Sequence, residues 1–443
     1  SKNLSSTPET NKGFRFSVDV RVSKITNTTN NILSTGYNFD GQLALSDTRN
    51  RSEFTLINNT EKWVAISAGH SHSLFLDQNG NLYCSGSNAF GQLGLGSGVA
   101  NSLSLKKVIL PSSYKVLLIS AGFNKSAVVV LDSINNKKLL LVCGDNSDSG
   151  LGDNLPKSNV YAFSTVLEFE NTTDSLYYLE CEKLVAVLHK GYILSTKTTL
   201  KFIELYDQGI NYNGYKILRV AKNPDKFSSQ LKLYITKIEV FDNYIVGIGL
   251  DNLGFSIWYF GTSNLRGYGY AKDIGISSFG IYVIILDQDT TLNKALYAYD
   301  LNLNFTKGYV TNYNTSPSTS TFAKISVVDN HYLVLDDESN LWVSGSNDLG
   351  QLGLGSVRQF SWSEQDYSRL PPLQRKQSDG NFGLELYSNA YKVIDISAGT
   401  NHSIIINGTG IPSLGNGSGS KYDFPYPQDL FNYPTIIDIT LQE

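Results

Sequence analysis

Short stretches in which hydrophobic residues alternate with small or polar ones recur along the chain, separated by clusters of Gly, Asn, Ser and Asp. A period of two turns one face of a strand toward a core, and the Gly and Asn clusters supply turns. The pattern therefore predicts short antiparallel strands and an all-β fold. No long stretch carries the 3.6-residue period of an amphipathic helix.

The alternation is also repetitive. ISAGHSHSLFLDQNGNLYCSGSNAFGQLGLGS from Ile66 and ISVVDNHYLVLDDESNLWVSGSNDLGQLGLGS from Ile325 match in register throughout. The template is an apolar residue, a small-residue turn, a His or other polar-tipped residue at +6, apolar residues at +8 and +10, a second strand ending in Gly, and a GQLGLG loop. Weaker copies open at Ile119 (Lys125 at +6), Ile238 (Tyr244), Ile276 (Tyr282) and Ile396 (His402), with a poor one near Leu179 placed by spacing. Near the start only LSTGYNFDGQLAL is recognisable. About seven degenerate repeats of roughly 55 residues result, a spacing that fits four-stranded propeller blades better than helical repeats.

The AGxxHSLxL segment and the Gly-x-Asn-x-x-Gly-Gln-Leu-Gly-x-Gly loop resemble the repeat of the regulator of chromosome condensation family. The resemblance implies a single seven-bladed β-propeller. It is specific in the units opening at Ile66 and Ile325, partial in others, and poor between residues 179 and 232. The family's usual Trp before the Gly is replaced by Ser85, Ser344, Cys143 and Phe260.

The repeat residues read as structural. Gly69, Gly122 and Gly399 lie in the turn after the first strand, and Gly86, Gly144 and Gly345 end a strand where a neighbouring backbone approaches or φ turns positive. Asn88 and Asn347 bond backbone in the following turn, and Gly91 and Gly350 open the GQLG loop. Leu93, Leu95, Leu352 and Leu354 anchor that loop. His72, His331 and His402 recur at one position and are read as buried rings bonding backbone groups between blades.

The expected organisation is a polar arm over 1–13 and a propeller over 14–443, with YPTIIDITLQE completing a blade with the N-terminal strands. An insertion near 356–392 carries PPLQRKQSDGNF, and its Trp362, Tyr367, Arg369, Arg375 and Lys376 are the candidate partner-binding residues, because long insertions on rigid scaffolds often carry binding. The divergent stretch 196–229 is a second candidate.

Composition narrows the function. Of 443 residues 41% are hydrophobic and 17% charged, enough to build a core and too little charge for a disordered chain. A net charge of −4 provides no strong field for phosphate backbones, so no direct nucleic-acid binding is expected. The three cysteines, Cys84, Cys143 and Cys181, form no CxxC pair, which fits a reducing compartment. No run is apolar enough to span a bilayer and the first residues lack a secretory h-region. The expected location is intracellular, cytoplasmic or nuclear, with organelle import after presequence removal as another route.

No cofactor, metal or catalytic set is expected. GLGSG and GNGSG lack a following GK[ST], no GxSxG elbow occurs, and His70 with His72 has no further ligand beside it. Two functions follow. The first is a non-catalytic scaffold that binds a protein partner or sits in a multi-subunit complex. The second, implied by the resemblance, is a guanine-nucleotide exchange factor for a Ran-like small GTPase, which needs only a surface that prefers the nucleotide-free GTPase. An acidic, loop-rich patch on one face would favour the second.

Replacing His331 by Ala should cost about 1–3 kcal/mol by leaving buried backbone groups unpaired, with no selective loss of activity; equilibrium denaturation of wild type and variant checks it.

Overall fold

A computed structural model describes residues 31–152 and 155–170, mainly the strands from there to 355, then 375–376, 382–383, 385–386 and 392–408. The polar arm, YPTIIDITLQE and residues 356–374 lie outside the described residues, which all belong to one compact unit, Thr28–Phe424. The described secondary structure is β throughout.

The chain opens with β1 (Asn31–Gly36) and β2 (Arg51–Leu56). A first set follows, β3 (Trp63–Ala68), β4 (His72–Asp77), β5 (Leu82–Gly86) and β6 (Ser102–Lys107), and then a second, β7 (Tyr114–Ala121), β8 (Lys125–Asp132), β9 (Lys137–Gly144) and β10 (Val160–Glu170). Each is an antiparallel meander. The third set, β11 (Leu176–Glu180), β12 (Val185–Leu188), β13 (Ile193–Ser195), β14 (Leu205–Tyr212) and β15 (Tyr215–Val220), has five strands in the order β11-β12-β13-β15-β14. Its extra hairpin accounts for the poor fit of this stretch to the repeat template.

Next come β16 (Tyr234–Phe241), β17 (Tyr244–Asp251), β18 (Gly254–Phe260), β19 (Leu265–Ser277), β20 (Gly280–Ile285), β21 (Ala295–Tyr299) and β22 (Phe305–Val310). Strand β19 serves two sets: its first part pairs with β18 and Ala271–Ser277 pair with β20. The sixth set is β23 (Phe322–Val328), β24 (His331–Asp336), β25 (Leu341–Gly345) and, beyond the ribbon of β26 (Arg375–Lys376) and β27 (Phe382–Gly383), β28 (Glu385–Leu386). Finally β29 (Val393–Ala398) and β30 (His402–Asn407) take up the first two strands, in the order β2-β1-β30-β29, with Leu33 opposite Ile405. It is β30 that closes the ring against β1. The described residues thus hold seven four- or five-strand sets, each packed on the next until β3 meets β29 and β30.

All seven template starts fall in the first strand of a set. One is displaced by two residues. Val328 pairs with His331 and Phe241 with Tyr244, but Ser277 pairs with Gly280, so Gly280 rather than Tyr282 takes the histidine place, and Ile274 takes that of Ile325. A period-two pattern cannot sense such a slip, because a shift of two keeps every side chain on its own face.

The core lies in the seams between sets. Second strands are buried at all six positions in HSLFLD, HYLVLD and HSIIIN, since successive side chains face the two neighbouring sets. Leu74, Leu76 and Leu93 meet Val116, Val128 and Val130; Ile404 and Ile406 meet Trp63 and Ile66; Leu333 and Leu335 meet Ile396 and Ile405.

Polar groups stitch these apolar seams in two ways. Ser67, Ser326 and Ser397 each accept the backbone N–H of an alanine in the next set, Ala121, Ala398 and Ala68, at 2.9 Å. From the fourth set to the closing set the residues opposite Ile248, Ile284, Leu335 and Ile406 are Lys237, Asp273, Lys324 and Asp395, an alternating series at one position of four consecutive sets. Lys237 pairs with Asp273 and Lys324 with Asp395, all four buried. Asp273 also accepts the N–H of Ile325 at 2.8 Å, which carries the chain of contacts across the intervening seam. Burial pushes the Lys237 pKa down, but Asp273 and Glu239 outweigh it and hold the ammonium above the ordinary lysine value.

Removing one member of such a pair strands a buried charge. Lys324→Met should cost about 3–5 kcal/mol, and adding Asp395→Leu should recover most of that loss, measured by equilibrium denaturation of both variants.

Candidate interaction face

One end of the sets is built by two kinds of loop, the turn between first and second strands and the connection from third to fourth strands. Backbone contacts lock them together. Ser87 N–H donates to Ser71 O, Tyr37 N–H to Asn401 O, Asp145 N–H to Asn124 O and Ser346 N–H to Asn330 O, all at 2.8–2.9 Å. The glycine before each donor, Gly86, Gly36, Gly144 and Gly345, has φ between +102° and +110°. A Cβ on Gly86 would collide with Ser71 O, so this position is closed to side chains for steric as well as conformational reasons.

The asparagine two residues later holds the loop. Asn88 Oδ1 accepts from Leu93 N–H at 3.0 Å while its Nδ2 donates to Val99 O, and Asn38, Asn146 and Asn347 accept likewise from Leu43, Leu151 and Leu352. Leu93 and Leu352 are buried, and Leu95 and Leu354 pack partly buried beside them. The loop lies on the outer strand of the next set: Gly91 contacts Val160 and Tyr161, Gly350 contacts Arg51 and Ser52, and Leu45, Leu95 and Leu354 bridge Ser104, Ala162 and Glu53. A sheet edge that would otherwise recruit another strand is thereby covered.

The histidines sit beneath these loops, fully buried. His72, His402 and His331 reach a serine hydroxyl of the next set through Nε2, Ser126 at 2.9 Å, Ser73 at 3.0 Å and Ser403 at 2.9 Å. Each serine in turn donates to a loop carbonyl, Gln92 O, Gln42 O and Gln351 O, at 2.6–2.8 Å. The histidine and the GQLG loop of one set therefore grip one serine of the next. A hydroxyl of the next set is thus a partner beside the backbone the sequence reading expected, which at Lys125 and His402 also bears on His72 and His331. Because the serine proton goes to the carbonyl, its oxygen must accept from the ring, which fixes the neutral Nε2–H tautomer. Nδ1 of His72 and of His402 faces Gly69 and Gly399 with no hydrogen-bond partner, and a Cβ there would come within 2.8 Å and 2.6 Å of it. Burial holds the pKa of His72 and His402 down to about 3 and that of His331 to about 4.

Sequence reasoning passed over these serines. Their signal was the small hydroxyl after the +6 residue, His72-Ser73, Lys125-Ser126 and His402-Ser403, together with the serine of each ISA segment.

At the surface of this end the turns contribute His70, Phe123 and Thr400, each following Gly69, Gly122 or Gly399 in adjacent sets. His70 stacks on Phe123 with centroids 4.0 Å apart and places Nδ1 3.0 Å from Thr400 Oγ1, so His70 and His72 diverge to different partners. Phe123 is 50% exposed. Farther out, Tyr37 stacks with Phe39, which is 69% exposed. Asp40, Asp145, Asp148 and Asp348 also stand in these loops, with Arg49 and Lys157; Asp148 meets Lys125 at 3.5 Å. The described loops thus carry a modest acidic excess.

The insertion springs from the same end. Connections 37–50, 87–101 and 145–159 are short, whereas 346–384 separates β25 from β28. Arg375 and Lys376 form β26, opposite Gly383 and Phe382. Trp362, Tyr367 and Arg369 lie outside the described residues, as does most of 196–229.

Cys84 and Cys143 are buried, and burial pushes the Cys84 thiol far up. Among the described residues no three His, Cys, Asp or Glu side chains are grouped to hold a metal ion, and no helix is long and apolar enough to cross a membrane.

Comparison with known proteins agrees with this architecture. The family model described as "Regulator of chromosome condensation (RCC1) repeat" matches residues 63–92 and 322–351. The X-linked retinitis pigmentosa GTPase regulator of Homo sapiens is 32% identical over 155 residues, covering 32% of this chain and 15% of that protein, and the Canis lupus familiaris protein is 32% identical over 125 residues, covering 28% and 12%. The chain thus spans only a small part of the length of these relatives. Among solved structures, human WBSCR16 superimposes with a TM-score of 0.61 at 14% identity, covering 85% of this chain and 99% of that one. Prp20p of Saccharomyces cerevisiae, described with its binding properties to Gsp1p and histones, gives a TM-score of 0.57 at 12% identity, covering 86% and 92%. With its matched repeats, meandering sets and closed ring, the chain is a divergent β-propeller that carries regulator of chromosome condensation repeats at 63–92 and 322–351.

Proposed function

We propose that this propeller is a non-catalytic interaction subunit that binds a protein partner through the end bearing Phe123, His70, Tyr37 and Phe39, together with the insertion over 356–392. The observation that carries this reading is positional. The one greatly lengthened third-to-fourth connection among the described sets leaves the fold at the end where exposed aromatic side chains already stand, on loops held rigid by the asparagine and serine contacts below. Rigid aromatic anchors cost little entropy to bind, and such residues dominate interface energetics. Trp362, Tyr367, Arg369, Arg375 and Lys376 are the insertion's contact residues in this reading. The working location is intracellular, cytoplasmic or nuclear.

A second reading, nucleotide exchange on a small GTPase, draws support from the acidic excess of the same loops and from relatives described as a GTPase regulator and as a binder of Gsp1p. Exchange needs a surface that prefers the nucleotide-free state, and this end could supply it without any covalent step.

Affinity capture from the native source, with and without chelator to strip nucleotide from GTPases, separates the two. A stable partner set insensitive to chelator is the expected result. A small GTPase enriched only after stripping would replace the scaffold by the exchange reading. Deleting Arg375–Asn381, and separately Phe123→Ala, should leave thermal unfolding unchanged and cut partner recovery at least about tenfold, a loss typical of a central interface residue. Undiminished capture by both variants would remove this end from the interface.

A further inference from the structure

The closing set, β29, β30, β1 and β2, is gripped on both sides by histidine. On one side His331 reaches Ser403 of the set; on the other the set's own His402 reaches Ser73. Both serines are committed to loop carbonyls, Gln351 O and Gln42 O. Each ring therefore takes part as a donor through Nε2.

A second proton would have to enter at Nδ1. In His402 that atom is buried against Gly399 with no acceptor, and in His331 it lies 3.3 Å from Asn330 Oδ1. The titratable groups that bear on His402 are three further histidines, His331, His72 and His70, and the backbone of His402 bears on His331. The Lys324–Asp395 pair crosses the first seam farther along the strands, opposite Leu335 and Ile406. The other seam also holds the Ser397–Ala68 contact, the His70–Thr400 contact and the Thr400 N–H donated to Gly69 O, with apolar packing beside them.

We propose that the closing set is an acid-sensitive latch, in which protonation of His331 and His402 drives this set to detach from its two neighbours and opens the ring there. The proton comes from solvent and is taken up by Nδ1 once the set has opened and the ring is wet. In the closed ring both imidazoles stay neutral down to about 4 and 3, whereas an exposed imidazole titrates near its ordinary value of 6.5. Between these limits the open form binds more protons than the closed form, so the latch is at full strength above pH 6.5 and weakens as pH falls. Each freed histidine contributes up to tenfold in the opening equilibrium per pH unit.

The test is hydrogen exchange of the full chain at pH 7, 6 and 5, read by mass spectrometry and corrected for the intrinsic pH dependence of exchange. Opening of β29, β30 and β1 should rise about fiftyfold from pH 6 to pH 5, as should that of β3 and β4, whose set His402 and His72 grip, while β16–β18, whose set is joined onward by Lys237 and Asp273, should change by less than tenfold. His402→Gln keeps a donor near the Nε2 position and should reduce the slope in the closing set to about tenfold per pH unit. The wild-type profile decides the matter if that variant fails to fold. Equal slopes in all sets, or exchange in β29 and β30 that does not vary with pH, would overturn the proposal.

Discussion

Everything in this molecule depends on one contact made repeatedly, the seam between neighbouring sheets. A four-stranded sheet with both faces apolar cannot stand alone in water, and here each face is covered by the next set. Apolar packing supplies the drive, but hydrophobic burial has no direction and would tolerate sliding of one set over another. Direction comes from buried polar groups. A serine that must receive a histidine and satisfy a glutamine carbonyl fits in one register only, because any slip leaves three polar groups in a dry interface.

Two chemical solutions to that requirement share one ring. Around the closing, first and second sets the seams use neutral partners, serine with backbone N–H and histidine with serine. From the fourth set to the closing set they use charge, with lysine and aspartate alternating at one strand position. Neutral contacts demand close approach of backbones, hence the glycines beside His72 and His402; ionic ones reach across on long side chains and need no glycine. The sixth set shows the transition: it keeps His331 and Ser326, has Val328 where the first, second and closing sets have glycine, and already carries Lys324.

These differences explain how much the sequence disclosed. Glycine, histidine and the GQLGLG loop stand at fixed spacings because backbone geometry requires them there, so the sets containing them were legible along with the strand order. The ionic seams were not, since a lone Lys237 or Asp273 within an apolar strand reads as an exposed position until its partner, dozens of residues away, is placed opposite. The two-residue displacement at β19 was invisible for a different reason, the insensitivity of alternation to even shifts. The five-strand third set escaped because its added hairpin pairs β15, not β14, with β13. The interaction face was half legible: the insertion announced itself by length, whereas Phe123 and His70, one residue past a repeat glycine, gain significance only when adjacent sets bring them into contact.

The closing set has a bearing on how the chain is made. Leu33 must find Ile405, a pairing across nearly the whole described length, and contacts so distant in sequence are slow to form. During synthesis β1 and β2 emerge before the other described strands and must wait, the edge of β1 toward β30 open, until almost all of those have been produced. The intermediate sets can pair locally as they appear. Closing the described ring therefore requires the earliest of its strands to be joined to the latest, and until then the open edge of β1 is exposed to other strands.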